Sequence, residues 1–407
     1  MKNIYIIDEY ISSQKNGIGT FLRELLFCIV NDVNNINIIS FNAEQEEFEI
    51  VEEKGIRKFF FPMFGNGNFM EHHKITEKFF KLYIQDSYDN IFFINHSPCA
   101  SFIESLKNTL PKSKIVFTIH DFGWTGLMFG DLEKYKNEIN QYKSNKSKAN
   151  NSNAVKVYNQ EKRIYQLSDK IVCLSKDSYD ILKSVYHVDE NKISLISNCL
   201  REKESYLFNR KSLRSKRRIS DNEKILLFIG RPTKQKGLYD LLASLSMVLE
   251  ENRNVKLVIV GDSNEVSMKD IVNASFKLAP SIVLTGQVDH EEVEEWLTIA
   301  DIGIISSYYE QCSYTAIEMM MHGLPIIASD GLGIRNMFTD TLNAKVAKIG
   351  DINNTQAYHL NLTTAIIELL DSPELCNTLG KTARMTYVEN YQISFMRQKY
   401  NELIDKL

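Results

Sequence analysis

The feature that most limits how this chain can fold is an alternation, repeated in two blocks, of short β-branched or aromatic runs with longer amphipathic stretches. In the first block Asn3 to Ile7, Ile36 to Ser40, Asn90 to Ile94, Lys114 to Ile119 and Lys170 to Leu174 read as strands, and Ile18 to Val33, Glu71 to Asp86 and Lys176 to Val185 as helices. In the second block the strands are Lys224 to Ile229, Val255 to Val260, Ser281 to Leu284, Ile302 to Ile305 and Pro325 to Ala328. Its helices are Leu238 to Glu250, His290 to Ile299 and Ser313 to His322. Helices between strands imply right-handed crossovers and a parallel sheet. The chain is therefore predicted to be α/β, with two Rossmann-like, doubly wound lobes facing each other across a cleft. Its 407 residues suit two or three domains at about 150 each.

The blocks set the domains at residues 1–200 and 223–386, with residues 201–222 as a basic linker. Arg210, Lys211, Arg214, Lys216, Arg217 and Arg218 crowd into that linker, which suits either a solvated connector or a patch resting on anionic lipid. A second polar stretch, Asp131 to Asn153, reads as a mobile surface loop or an exposed helix with a frayed end. The 48 Lys and Arg residues against 52 Asp and Glu leave a formal charge of -4, which argues against a nucleic-acid binder held by bulk electrostatics. Cys28, Cys99, Cys173, Cys199, Cys312 and Cys376 lie far apart with no Cys-x-x-Cys pair, as buried thiols of a reducing cytosol would. Asp8 and Glu9 interrupt the N-terminal apolar run too early for a signal-peptide core, and no run approaches the roughly 20 apolar residues of a membrane span. A cytoplasmic protein is expected, with any membrane contact peripheral and on the inner face.

In parallel sheets ligands bind beyond the carboxyl ends of the strands, so chemistry is sought in the loops there. The first strand leads to Asn16-Gly17-Ile18-Gly19-Thr20 and a helix start, where unpaired amides suit an anion. A plain tight turn explains the same residues. A dinucleotide fingerprint is incomplete, because Leu22 replaces the third glycine and Ser40, Phe41 and Asn42 end the next strand without an acid. His120 and Asp121 follow the strand ending at Ile119, and His96 holds a similar station one strand earlier. Strand-end histidines serve structure as well as catalysis. In the second block Gly230-Arg231-Pro232-Thr233-Lys234-Gln235-Lys236-Gly237 sets cations beside a helix start, where they oppose its dipole unless an anion such as a diphosphate joins them.

The most specific constellation is Glu310-Gln311-Cys312-Ser313-Tyr314-Thr315-Ala316-Ile317-Glu318. Ser313 is a natural N-cap, which directs the amides of Tyr314, Thr315 and Ala316 toward a phosphate or a developing anion. Glu318 lies among Ile317, Met319 and Met320, so its carboxylate needs a partner such as a ribose diol.

Taken in order with Val260-Gly261-Asp262, Thr285-Gly286-Gln287-Val288 and Gly323-Leu324-Pro325, these motifs resemble the nucleotide-sugar-dependent glycosyltransferases of family 4 over nearly the whole chain. The resemblance implies a GT-B fold, a final helix around Tyr391 to Leu407 (387–407 at its widest) crossing back to the first lobe, and transfer with retention of configuration. It implies that Arg231 and Lys236 hold the donor diphosphate, Glu318 the ribose and Glu310 the donor sugar. Gly17, Gly19, Gly230 and Gly261 then supply backbone to the donor, Gln287 and Val288 meet the base, Ser313, Tyr314 and Thr315 form the helix start, and His120 lines the sugar site.

The family pattern has Gly-Phe-Gly where this chain has Gln311-Cys312-Ser313, and a glycine where it has Cys199. Those departures bear on sugar identity more than on fold. The leading expectation is a metal-independent hexosyl- or N-acetylhexosaminyltransferase using a UDP-linked sugar and no cofactor, with a glycan, lipid-linked or protein acceptor and no nucleic acid partner. A non-hydrolysing sugar-nucleotide epimerase and an inactive partner subunit of a glycosyltransferase complex stand as alternatives.

Overall fold

The computed structural model describes residues 1–9, 17–30, 33–63, 77–95, 100–144, 152–202, 208–251, 253–262, 269 and 276–407. His96 and Cys99 lie outside them, as do the first residues of the helix expected at 71–86. The chain divides into two compact units, the first made of residues 1–128, 132–198 and 393–407, the second of residues 129–131 and 199–392.

The first unit carries an eight-stranded sheet. Its strands are β1 (Asn3–Glu9), β2 (Asn35–Ala43), β3 (Glu49–Glu53), β4 (Ile56–Pro62), β5 (Asn90–Ile94), β6 (Lys114–Ile119), β7 (Lys170–Cys173) and β8 (Ile193–Leu195), ordered β3-β4-β2-β1-β5-β6-β7-β8. All neighbours are parallel except the β3–β4 hairpin. That hairpin turns through Lys54 and Gly55, both at positive φ (51° and 75°), the twist a two-residue loop between antiparallel strands requires. It escaped the sequence reading because Lys-Gly is a weak turn signal. Central strand β1 buries Ile4, Tyr5, Ile6 and Ile7 in succession, the continuous apolar run of a strand covered on both faces.

The helix Gly17–Ile29 buries Phe21, Leu22, Leu25, Cys28 and Ile29 along one stripe. The last helix, Ile393–Asp405, belongs to this same unit and sets Tyr400 with its ring 6.4 Å from that of Phe21 and 6.0 Å from that of Phe93. Of the two expectations for the polar stretch after Asp131 the helix holds for Leu132–Ser144, although it is pinned on one side. Its Tyr135 and Ile139 are buried, and Tyr135 stacks on Trp124 at 4.3 Å. A sequence poor in apolar residues hides such a helix, because two inward positions suffice to hold it.

The second unit carries a six-stranded, wholly parallel sheet. Its strands are β9 (Lys224–Ile229), β10 (Val255–Val260), β11 (Ile282–Gly286), β12 (Ile302–Ile305), β13 (Ile326–Ser329) and β14 (Lys345–Ala347), ordered β11-β10-β9-β12-β13-β14. The order reverses at β9, whose neighbours are β10 and β12, and the crevice of such a switch point is where an open α/β sheet binds its ligand.

The stretch expected as a basic linker lies within this second unit as the helix Arg210–Lys216 and its flanks. Four of its six cations are paired within the unit. Arg210 pairs with Asp301 at 2.9 Å, and Arg214, only 5% exposed, reaches Asp301 and the carbonyls of Ile299 and Ser220. Lys216 pairs with Glu295 at 3.0 Å, while Arg217 lies 4.0 Å over the Trp296 ring and bonds Glu292 and Glu295. A composition count cannot see these partners, which come from the helix His290–Ile299 and the start of β12, and they leave Lys211 and Arg218 outside the described ion pairs. Among the described residues no helix is long and apolar enough to cross a membrane.

Candidate functional site

Three strand ends of the second unit are laced together by glycines. Gly230 donates its N–H to the Val260 carbonyl at 2.8 Å and Gly261 donates to the Gly286 carbonyl at 3.0 Å. A Cβ on Gly261 (φ 137°) would stand 2.3 Å from the Gly230 carbonyl oxygen, so only glycine lets these strand ends meet. Past β9 the chain runs through exposed Arg231 to Lys236 and then Gly237, whose left-handed conformation (φ 67°) caps the helix Leu238–Glu250. A Cβ there would meet the Ser306 carbonyl at 2.0 Å. The β9 and β12 loops are thus in backbone contact, reinforced by Ser306 Oγ donating to the Lys236 carbonyl at 2.9 Å and Tyr308 N–H to that of Gln235 at 2.9 Å.

That contact brings Lys236 and Glu310, 74 residues apart, into a direct ion pair. Ser307 Oγ adds a hydrogen bond to the same Glu310 oxygen at 3.1 Å. Both ionic side chains are mostly covered, 26% exposed for Lys236 and 17% for Glu310. Glu310 is held from behind as well. Its N–H bonds the Leu332 carbonyl at 2.9 Å, and Gly333 (φ 79°) packs so closely that a Cβ would lie 1.8 Å from the Glu310 carbonyl oxygen. Ser307, Gly331 and Gly333 were not singled out from the sequence, although Gly331-Leu332-Gly333 directly after β13 obeys the same strand-end rule that found Arg231.

Behind the pair, buried Asp240 accepts from Tyr308 Oη at 3.0 Å and from His359 Nε2 at 2.9 Å. Burial, helped by this carboxylate, pushes the Tyr308 hydroxyl pKa up, so it stays a donor. Asp240 therefore ties the first turn of the helix Leu238–Glu250 to the loop that carries Glu310.

Ser313 caps the helix Tyr314–Met321 as expected of its type, but its Oγ accepts from Ala316 N–H at 3.4 Å, so that amide is taken and does not join Tyr314 and Thr315 as an anion donor. Glu318, with a side chain 14% exposed, sits between the fully buried Ile317 and Met319 and faces His290 Nε2 at 4.0 Å. Exposed Gln287 and half-buried Val288 come just before Asp289, which caps the helix bearing His290. The fold thus draws the β11 loop and Glu318 together.

In the first unit Gly17 and Gly19 fall inside the first turn of their helix, where N–H groups have no acceptor within the helix. Half-buried His120 meets Phe21 of that helix edge-on at 4.5 Å, so the end of β6 meets the helix that follows β1. Asp121 Oδ1 accepts from Phe122 N–H at 2.8 Å and Thr125 Oγ1 at 2.7 Å, which makes it a local cap of the short helix Gly123–Met128.

These two parallel α/β units have the GT-B fold: sucrose-phosphate synthase from Thermosynechococcus elongatus matches 100% of this chain and 99% of its own at a TM-score of 0.79, with 18% identity. Two family models cover most of the sequence, Glycosyltransferase Family 4 over residues 15–203 and Glycosyl transferases group 1 over residues 209–386, and the chain belongs to the family-4 type of glycosyltransferases. An uncharacterized glycosyltransferase of Methanocaldococcus jannaschii is 27% identical over 43% of this chain and 46% of its own length. Alpha-monoglucosyldiacylglycerol synthase of Streptococcus pneumoniae is 31% identical over 33% of this chain and 30% of its own. These matches span less than half of either relative.

Proposed function

We propose that the protein transfers a hexose or N-acetylhexosamine from a nucleoside diphosphate sugar, UDP-linked, to a glycan, lipid-linked or protein acceptor with retention of configuration. The observation that carries this reading is the Lys236–Glu310 ion pair at the switch point, beside exposed Arg231 and the capped helix start at Ser313. A diphosphate arriving there draws Lys236 away from Glu310, and Arg231 and Lys236 then offset the negative charge that grows on the leaving group. Glu310, released and still bonded to Ser307, faces the sugar and the positive charge developing at its anomeric carbon. Glu318 takes the ribose hydroxyls, and Gln287 and Val288 meet the base. From the first unit the reading takes backbone of Gly17 and Gly19 for phosphate and His120 for the sugar. Retention follows if the acceptor enters on the face the diphosphate leaves, with a phosphate oxygen accepting the acceptor's proton.

A panel of UDP-, GDP- and ADP-sugars, screened by thermal shift and followed by nucleotide release with candidate acceptors, tests the reading, because a bound donor stabilises by mass action before any acceptor is known. The expected result is stabilisation by one donor class and acceptor-dependent release of its nucleoside diphosphate. Epimerised nucleotide sugar without acceptor would point to an epimerase, and no binding at all to an inactive partner subunit.

A further inference from the structure

His322 closes the helix Tyr314–Met321 and its two ring nitrogens meet two acceptors. Nε2 lies 2.9 Å from Glu294 Oε2, and Nδ1 lies 3.0 Å from the backbone carbonyl of Glu318. A carbonyl oxygen and a carboxylate both accept, so the two contacts together favour a proton on each nitrogen, the imidazolium form. Glu294, 7% exposed on the helix His290–Ile299, needs such a partner, since a buried carboxylate without a cation is strongly disfavoured. A cation at a helix C-terminus also suits the helix dipole. Burial works against charging His322, but the bonds to Glu294 and the Glu318 carbonyl outweigh it, and the pKa is raised above 6.5.

The other charged groups here are His290, 3.9 Å from Glu294 and 4.0 Å from Glu318, and Arg384 of the helix Pro373–Asn390, which bonds the Met321 carbonyl at 3.0 Å and pairs with Glu202. Two carboxylates and two imidazoles therefore alternate between the helix that follows the β11 loop and the helix that carries Glu318. His290, half-exposed, faces the Glu318 carboxylate at 4.0 Å, and that carboxylate also acts on the His322 charge.

We infer that His322 is a positioning residue for Glu318: as a cation it locks the helix Tyr314–Met321 to the helix His290–Ile299 and so holds the Glu318 carboxylate in place for the nucleotide. This rests on the donor-site reading above. When the imidazolium loses a proton, one ring nitrogen faces an acceptor with a lone pair and Glu294 loses the cation it meets at 2.9 Å, so the lock loosens. Nucleoside diphosphate affinity is present at neutral pH and lost as pH rises through the raised pKa of His322.

The test is titration calorimetry of UDP, GDP and ADP against the full chain from pH 7 to 9.5, a range in which the nucleotide phosphates are already ionised. For whichever nucleotide binds, the wild-type dissociation constant is expected to rise by up to about tenfold per pH unit above the His322 midpoint, as loss of one linked proton requires. His322→Gln is expected to bind weakly with a flat profile, and His322→Lys to recover affinity at high pH. A histidine-labelled NMR titration of the ligand-free wild type, which needs no variant to fold, is expected to show one imidazole with a midpoint above 6.5, lowered by Glu294→Gln. Wild-type binding that is flat across this range, or an identical slope in His322→Gln, overturns the inference alone. An NMR midpoint at or below 6.5 does the same. No binding of any nucleotide at pH 7 overturns the donor-site reading and the inference with it.

Discussion

Glu310 and Lys236 hold each other, so neither acts as an isolated charge. Lys236→Ala is expected to lower turnover by roughly 100-fold or more, the scale of losing one transition-state charge stabiliser, and steady-state kinetics with saturating donor reads it. Glu310→Gln should lower kcat while nucleotide affinity changes little, whereas Glu318→Ala should weaken nucleotide binding by about 1–3 kcal/mol through a lost charge-assisted hydrogen bond. Calorimetry beside kinetics separates the two, and unchanged behaviour in both variants would remove the assignment. Gly333 offers a test of backbone support. A methyl group at φ 79° and 1.8 Å from the Glu310 carbonyl cannot be accommodated without moving Glu310. Gly333→Ala is therefore expected to reduce kcat while leaving nucleotide affinity near the wild-type value. The type and spacing of Glu310 and Glu318 were legible in the sequence. The pairing with Lys236 and the clamp by Gly333 were not, since both depend on contacts between loops far apart in the chain.

The turn after β6 shows how one element steadies another. Gly123 N–H donates to Glu161 Oε1 at 2.7 Å, and Glu161, from the helix Asn153–Leu167, also accepts from Tyr186, whose hydroxyl lies 2.7 Å from that of Tyr135. Burial pushes the Glu161 carboxyl up to about 7, against bonds from Tyr186 and Gly123 that favour the anion. A folded pKa of about 7 over an ordinary 4.5 means the folded state binds the extra proton in between, so this group's stability contribution is fullest below 4.5 and declines until about 7. The span corresponds to about 3 kcal/mol. Glu161→Gln, which keeps an acceptor for Gly123, is expected to flatten the pH dependence of the urea midpoint between pH 5 and 8. An unchanged slope would mean that the carboxyl does not titrate there. The helices Asn153–Leu167 and Leu132–Ser144 that build this network were the least legible elements, because their inward residues, Tyr135, Tyr158 and Tyr165 among them, are spaced among polar ones.

For the molecule as a whole, a diphosphate leaving group met by fixed cations leads to the expectation that transfer proceeds undiminished in EDTA. Activity lost in EDTA and restored by magnesium or manganese would mean that Arg231 and Lys236 do not carry that role. An NMR coupling constant on the new linkage is expected to report the donor's anomeric configuration. The alternation of strands and helices was readable at the start because each strand of a parallel sheet is buried on both faces and must be continuously apolar, a local property of the sequence. That reading located β1, β5, β6, β9, β10, β12 and β13 to within a few residues, and the strand-end rule then pointed to Arg231, Lys236 and Glu310. The basic stretch 210–218 was not legible in the same way, since Arg210, Arg214, Lys216 and Arg217 are met by Asp301, Glu292 and Glu295, whose positions beside them are set by packing alone. Burial pattern and residue type are written along the chain, so the sequence by itself determined the α/β class, the strand ends and which charged residues stand at them. Which of those residues touch, and with what charge, was decided only by the tertiary structure, because ion pairs such as Lys236–Glu310 and Glu294–His322 join groups whose separation in sequence carries no information about their distance in space.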